Sequence, residues 1–100
     1  MRAVWGDHVI AEAPEQDLIR IEGNWYFPPA SVAEGMLVES PTPYTCPWKG
    51  PVQYYSLQTD EGLVDDAAFA YHELRPGAVD RVGQDFASYV AFSPSVQVVE

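Results

Sequence analysis

The chain is organised around a proline-bounded loop that leads directly into a β-strand, Thr45-Cys46-Pro47-Trp48-Lys49-Gly50-Pro51-Val52-Gln53-Tyr54-Tyr55. This stretch contains the only cysteine and the only lysine of the chain. Proline fixes one backbone torsion, and glycine allows the chain to reverse direction. The loop is therefore expected to be rigid and to present polar groups at the start of the strand. The pattern predicts a functional site, but it does not specify a reaction.

Short β-favouring runs lie on both sides of this loop, separated by turn signals at spacings of roughly 8–12 residues. They cover residues 3–5, 9–11, 18–22, 25–27, 52–59, 67–72, 88–92 and 96–99. No segment is long enough to supply the crossover helices of a parallel βαβ architecture. We therefore predict a mainly β fold in which residues 1–100 form one compact domain. The architecture is an antiparallel β-sandwich, barrel or tent-like fold with one or two short helical turns.

The alternation of apolar and polar residues along these runs also predicts which side chains are buried. The predicted core residues are Trp5, Val9, Ile21, Phe27, Tyr71, Val90 and Phe92. The segments at 30–37 and 78–86 are the candidates for the helical turns.

Composition and charge restrict the classes of function. A hydrophobic fraction of 47% with 13% aromatic residues indicates a folded protein rather than a disordered one. The net charge is -10, and the few basic residues are scattered along the sequence, so neither nucleic acid nor an anionic membrane is an expected partner. One cysteine cannot form an internal disulfide, and no apolar run resembles a signal peptide or a membrane span. We expect a cytoplasmic protein. A monomer and a homo-oligomer are both compatible with the sequence.

Several motifs resemble the bacterial domain-of-unknown-function 427 family. The strongest is Cys46-Pro47-Trp48-Lys49-Gly50 followed by Tyr54, which resembles that family's Cys-Pro-aromatic-Lys-Gly-x-x-x-Tyr signature. Weaker matches are Val4-Trp5-Gly6 with Val9-Ile10-Ala11-Glu12, Tyr26-Phe27-Pro28-Pro29, Ala68-Phe69-Ala70-Tyr71 and Tyr89-Val90-Ala91-Phe92. The chain departs from the family pattern at Ala13, Ser31 and Phe69.

The resemblance implies a compact β fold with Cys46, Lys49 and Tyr54 at a shared site. The family also carries a nucleotidyltransferase-like label, which this sequence does not support. That chemistry requires metal-binding carboxylates and a phosphate-cradling loop. The adjacent acids Asp65 and Asp66 would face opposite sides of an extended strand.

Each candidate residue has a structural and a functional interpretation. Cys46 is either a small buried hydrophobe or a thiol activated by a nearby cation. Lys49 either pairs with a surface carboxylate or contacts an anionic ligand. A metal site built from Cys46, His8 and His72 would lack the short ligand spacing of known sites, so no metal is predicted. No cofactor is indicated.

Two main hypotheses follow. The first is a module that binds a small molecule in a pocket around the 46–50 loop, with contacts from Cys46, Trp48, Lys49, Gly50 and Tyr54. The second is a small enzyme in which Cys46 or Lys49 performs covalent or acid-base chemistry. A weaker third is a structural protein that associates through exposed aromatic residues. For the first two we predict that Cys46, Lys49 and Tyr54 converge on one concave surface, with Trp48 or Trp5 in its wall.

Overall fold

The structure is a computed structural model that describes residues 1–100, and it confirms the mainly β class. The strands are β1 Arg2–Trp5, β2 His8–Glu12, β3 Ile19–Ile21, β4 Asn24–Tyr26, β5 Leu37–Glu39, β6 Thr45–Cys46, β7 Gly50–Pro51, β8 Gln53–Thr59, β9 Gly62–Ala70, β10 Val90–Phe92 and β11 Gln97–Val99. Helix α1 spans Ala78–Val82, and two 3-10 turns cover Glu15–Asp17 and Pro29–Ser31. None of these helical segments has the length and apolar character needed to cross a membrane.

All strand pairs are antiparallel. One sheet has three strands in the order β11-β1-β2, and a second has four in the order β10-β9-β8-β5. The pairs β3-β4 and β6-β7 form two small ribbons. Reciprocal backbone hydrogen bonds between Phe27 and Val90, at 2.8 and 2.9 Å, connect the end of β4 to β10. The small ribbon β3-β4 is thereby held against the four-stranded sheet.

The buried side chains form two clusters. The larger contains Ile10, Phe27, Leu57 and Phe92, and it fills the space between the two larger sheets. The smaller is more aromatic, and it consists of Ile19, Ile21, Tyr26, Cys46, Tyr71, Ala78, Phe86 and Ala91. The second cluster contains Cys46 from the 46–50 loop and Ala78 from α1. The loop and the helix therefore both pack against this cluster.

Five of the seven predicted core residues are buried: Ile21, Phe27, Tyr71, Val90 and Phe92. The prediction for Val9 is wrong, since 41% of this side chain is exposed and Ile10 faces the core instead. A register shift in the β1–β2 pairing between Ala3 and Val4 changes which residues of β2 face inward. Trp5 is only half-buried, and it stacks on His8 with ring centroids 6.5 Å apart.

The connector that precedes the loop is anchored to β9. Asp66 accepts hydrogen bonds from the hydroxyls of Ser40 at 2.5 Å and Thr42 at 2.8 Å. Asp66 has φ 50, a left-handed conformation that lies opposite a register shift in β8. The irregularity turns the Asp66 carboxylate toward Ser40 and Thr42. These hydrogen bonds fix the position of the connector before the chain enters β6.

Candidate functional site

The 46–50 loop is a tight corner closed by a short ribbon. Cys46 of β6 pairs with Gly50 of β7, which leaves Pro47, Trp48 and Lys49 at the turn. The Lys49 carbonyl also accepts a hydrogen bond of 3.0 Å from the backbone N–H of Arg75. The loop is therefore attached to the segment that leads into α1.

Gly50 is required by this close approach. It has φ 124, and a Cβ atom at this position would lie 2.5 Å from the Glu73 carbonyl oxygen. That separation is too short for any side chain, so the glycine serves the packing of two backbones against each other. Its role is to bring the 73–75 segment onto the loop.

Lys49 is buried despite its charge. Its side chain is 7% exposed, and its ammonium forms the chain's single ion pair, with the carboxylate of Glu22. The ammonium also lies 5.1 Å from the ring centroid of Trp48 and 5.2 Å from that of Tyr71, within the range of cation–π attraction. A carboxylate and two aromatic rings thus replace the water that the ammonium loses.

These surroundings shift three pKa values. Burial by itself would lower the pKa of Lys49, but its hydrogen bond to Glu22 and the charge of that carboxylate raise the pKa overall. The hydrogen bond from Lys49 lowers the pKa of the Glu22 carboxyl, with a further contribution from Trp48. Burial raises the pKa of Tyr26 to about 12, although the nearby ammonium opposes the rise. Near neutral pH, Lys49 is an ammonium, Glu22 is a carboxylate and Tyr26 is a neutral phenol.

The structure brings Cys46 and Lys49 together more closely than it does Tyr54. Cys46 is 7% exposed and lies in the same aromatic cluster as Tyr71, beside which the ammonium sits. Tyr54 is half-buried on β8 and contacts Phe69, with ring centroids 6.1 Å apart. Phe69 in turn packs against Tyr26 and Tyr71, so Phe69 lies between Tyr54 and the rings of the cluster that it contacts.

Trp48, rather than Trp5, borders the open space beside the loop. Two adjacent clefts share Trp48 and Arg81 as wall residues. The first has a volume of about 420 Å³ and is lined by Pro47, Trp48, Arg75, Pro76, Gly77 and Arg81. The second, of about 260 Å³, is lined by Arg20, Ile21, Glu22, Trp48, Arg81 and Val82. The larger volume falls within the usual range of small-molecule pockets.

The clefts gather basic side chains that are far apart in the sequence. Arg75 and Arg81 line the first cleft, and Arg20 and Arg81 line the second. The Lys49 ammonium lies beside Trp48, whereas the Arg20 guanidinium lies 4.8 Å from the ring centroid of Trp25. The Arg81 guanidinium lies 4.4 Å from the Trp48 ring centroid. None of the three arginines forms an ion pair, although the chain has 15 acidic residues. The result is a local positive surface on an acidic protein.

Sequence reasoning missed these arginines, together with Glu22, Tyr26 and Tyr71. The arginines are separated by long stretches of chain, and only the tertiary contacts bring them together. One local signal was present for the turn, because Gly23 lies between two β-favouring runs. That signal predicts the turn but not the contact with Lys49.

The two histidines have separate partners. His72 is hydrogen-bonded to the Tyr55 hydroxyl at 2.7 Å and to the Ser88 hydroxyl at 2.8 Å, while His8 stacks on Trp5. No group of three or more His, Cys, Asp or Glu side chains is placed to hold a metal ion.

Comparison with known proteins places the whole chain in one family. No curated protein matches the sequence. The family model described as "Domain of unknown function (DUF427)" matches residues 1–100, a span that includes the 46–50 loop and both clefts. The chain therefore belongs to the DUF427 family.

Proposed function

We propose that this protein binds a small anionic molecule in the two clefts that flank Trp48. The observation that carries the proposal is that three of the five basic residues, Arg20, Arg75 and Arg81, line two clefts that share Trp48 in a chain of net charge -10. Like charges held close together repel one another, and a bound anion relieves that repulsion. Basic side chains concentrated at one surface attract an anion there even though the net charge of the chain is negative.

The side chains also suggest the shape of the ligand. An arginine guanidinium binds a carboxylate or a phosphate through two parallel hydrogen bonds. Pro47, Pro76 and Trp48 offer apolar surface beside Arg75 and Arg81. A molecule with one acidic group and a planar apolar part fits this combination. The clefts hold too few cations for the many phosphate contacts that a nucleic acid makes.

Covalent chemistry by Cys46 or Lys49 has less support. A nucleophilic lysine must be an uncharged amine, whereas Lys49 pairs with Glu22 and its pKa is raised. Cys46 is 7% exposed and lines neither cleft. If Cys46 reacts fast with a thiol reagent at a pH well below about 8.5, the reference pKa of a cysteine thiol, the hypothesis of a small enzyme is favoured.

Calorimetric titration with phenyl phosphate and with benzoate, at fixed ionic strength, tests the binding proposal. Arg75→Gln and Arg81→Gln should each weaken binding roughly tenfold, because each removes a charge-assisted contact. Arg2→Gln is the matched control, since Arg2 is an exposed arginine that lines neither cleft. Failure of both probes to bind, or equal weakening by Arg2→Gln, would refute the proposal.

A further inference from the structure

Glu22 occupies an unusual backbone position. It forms the two-residue turn between β3 and β4 with Gly23, since Ile21 pairs with Asn24 across the ribbon. Both turn residues have positive φ, 52 for Glu22 and 84 for Gly23. Glycine and asparagine adopt this conformation readily, whereas glutamate does so at a cost in free energy. The turn thus holds a strained residue whose carboxylate reaches Lys49.

Glu22 also separates the Lys49 ammonium from the smaller cleft. The Glu22 side chain is 56% exposed and lines that cleft, while Lys49 is 7% exposed and does not. The other charged lining residues are Arg20 and Arg81. An anion that enters the cleft therefore meets two guanidinium groups, and then the one carboxylate that covers the buried ammonium.

The buried polar groups behind this carboxylate are incompletely hydrogen-bonded. An ammonium has three N–H groups, and that of Lys49 has Glu22 as its only ion-pair partner. The Tyr26 residue is fully buried, yet its hydroxyl has no hydrogen-bond partner. A buried hydroxyl without a partner is unfavourable and uncommon. Tyr26 lies in the same buried cluster as Tyr71, whose ring centroid is 5.2 Å from the Lys49 ammonium.

We propose that the Glu22 carboxylate is an internal stand-in for the acidic group of the ligand, and that a phosphate monoester displaces it from Lys49. This inference rests on the proposed function. Glu22 is exposed enough to turn outward into solvent when it leaves the ammonium. A phosphate monoester brings three terminal oxygens, which can accept from Lys49, Tyr26 and Arg81 together, whereas a carboxylate has two. The site therefore selects phosphate over carboxylate.

Removing the stand-in should strengthen binding. Glu22→Gly keeps a residue suited to positive φ and deletes the competing carboxylate, so phenyl phosphate should bind roughly tenfold more tightly than to the wild type. The gain should be larger for phenyl phosphate than for benzoate. It should disappear in the double variant Glu22→Gly/Lys49→Met, and Tyr26→Phe should reduce it.

The matched control is Glu61→Gly, which makes the same replacement in the exposed turn between β8 and β9 and lines none of the clefts. If Glu22→Gly binds phenyl phosphate no more tightly than Glu61→Gly, the inference is wrong, while arginine-dependent binding by the wild type would still support the proposed function. Equal gains for phosphate and benzoate would refute the phosphate preference. If no variant binds either probe, both proposals fail. Should Glu22→Gly not fold, Glu22→Gln removes the same charge and should shift affinity in the same direction.

Discussion

Lys49 keeps its charge in an almost fully buried position because its neighbours compensate for the lost water. Moving an ammonium out of water costs several kcal/mol of free energy, and its partners in the folded protein must compensate for this cost. Glu22 supplies an opposite charge, and the rings of Trp48 and Tyr71 supply negative faces at 5.1 and 5.2 Å. The ion pair is therefore part of the folded structure as well as part of the proposed site.

The stability that Glu22 contributes should depend on pH. At pH 7, Glu22→Gln should lower the free energy of unfolding by about 1–2 kcal/mol, between the values for exposed and buried pairs. Because the folded-state pKa of Glu22 lies below its unfolded value of 4.5, this contribution is complete above pH 4.5. It is lost as the pH falls through the folded-state pKa. Urea denaturation of both proteins from pH 7 to pH 3 should show the difference in stability shrinking as the pH falls below 4.5, and a difference as large at pH 3 as at pH 7 would contradict this account.

Gly50 should tolerate no side chain. Gly50→Ala places a Cβ atom 2.5 Å from the Glu73 carbonyl oxygen and forces alanine into φ 124. We expect a loss of about 2–4 kcal/mol in the free energy of unfolding, from overpacking and backbone strain together. Gly35→Ala is the control, because Gly35 has φ 78 but no atom within 4 Å of the added methyl group. Thermal denaturation should place Gly35→Ala well above Gly50→Ala in stability, and equal losses would show that the close approach does not matter.

The hairpins could be predicted from the local sequence pattern, whereas the other strand pairings depend on long-range contacts. The run at 3–5, the turn at Gly6 and the run at 9–11 became β1 and β2, because a hairpin depends on neighbouring residues. Strand β5 was not predicted, because Leu37–Glu39 is short and its extended conformation depends on pairing with β8. The motif itself located the loop and its buried thiol and amine. The arginines could not be predicted, because their meeting depends on how β3, the loop and α1 pack.

The connector before β6 should depend on one carboxylate. Asp66→Asn retains a residue that accepts positive φ, but it removes the charge that binds the hydroxyls of Ser40 and Thr42. We expect a cost of about 1 kcal/mol. Asp65→Asn is the matched control, because it makes the same change at the exposed neighbouring position. Chemical denaturation of the two variants measures the difference, and equal stability would show that the hydroxyl contacts contribute nothing.

For the whole molecule, the arrangement of charge is more informative than the total. The chain carries 15 acidic and five basic residues, and folding brings three of the basic ones into the clefts beside Trp48 and a fourth, Lys49, next to its ring. Arg2 lies apart, on β1. In the sequence the same residues are widely spaced, which is why their distribution argued against nucleic acid and an anionic membrane as partners. A small anion is a different case, since a few cations held close together are enough to bind one acidic group.

The central claim is that the clefts beside Trp48 bind an anion, and the three indole N–H signals of the protein test it most directly. A ¹H–¹⁵N correlation spectrum of the labelled protein resolves Trp5, Trp25 and Trp48, which single Trp→Phe variants assign. During titration with phenyl phosphate at constant ionic strength, the account predicts a saturable shift of the Trp48 signal. The Trp5 signal should stay in place. The Trp25 signal should move less than that of Trp48, because the Trp25 ring lies 4.8 Å from the guanidinium of Arg20, which lines the second cleft. A Trp48 signal that does not move, or equal movement of all three signals, would contradict the claim.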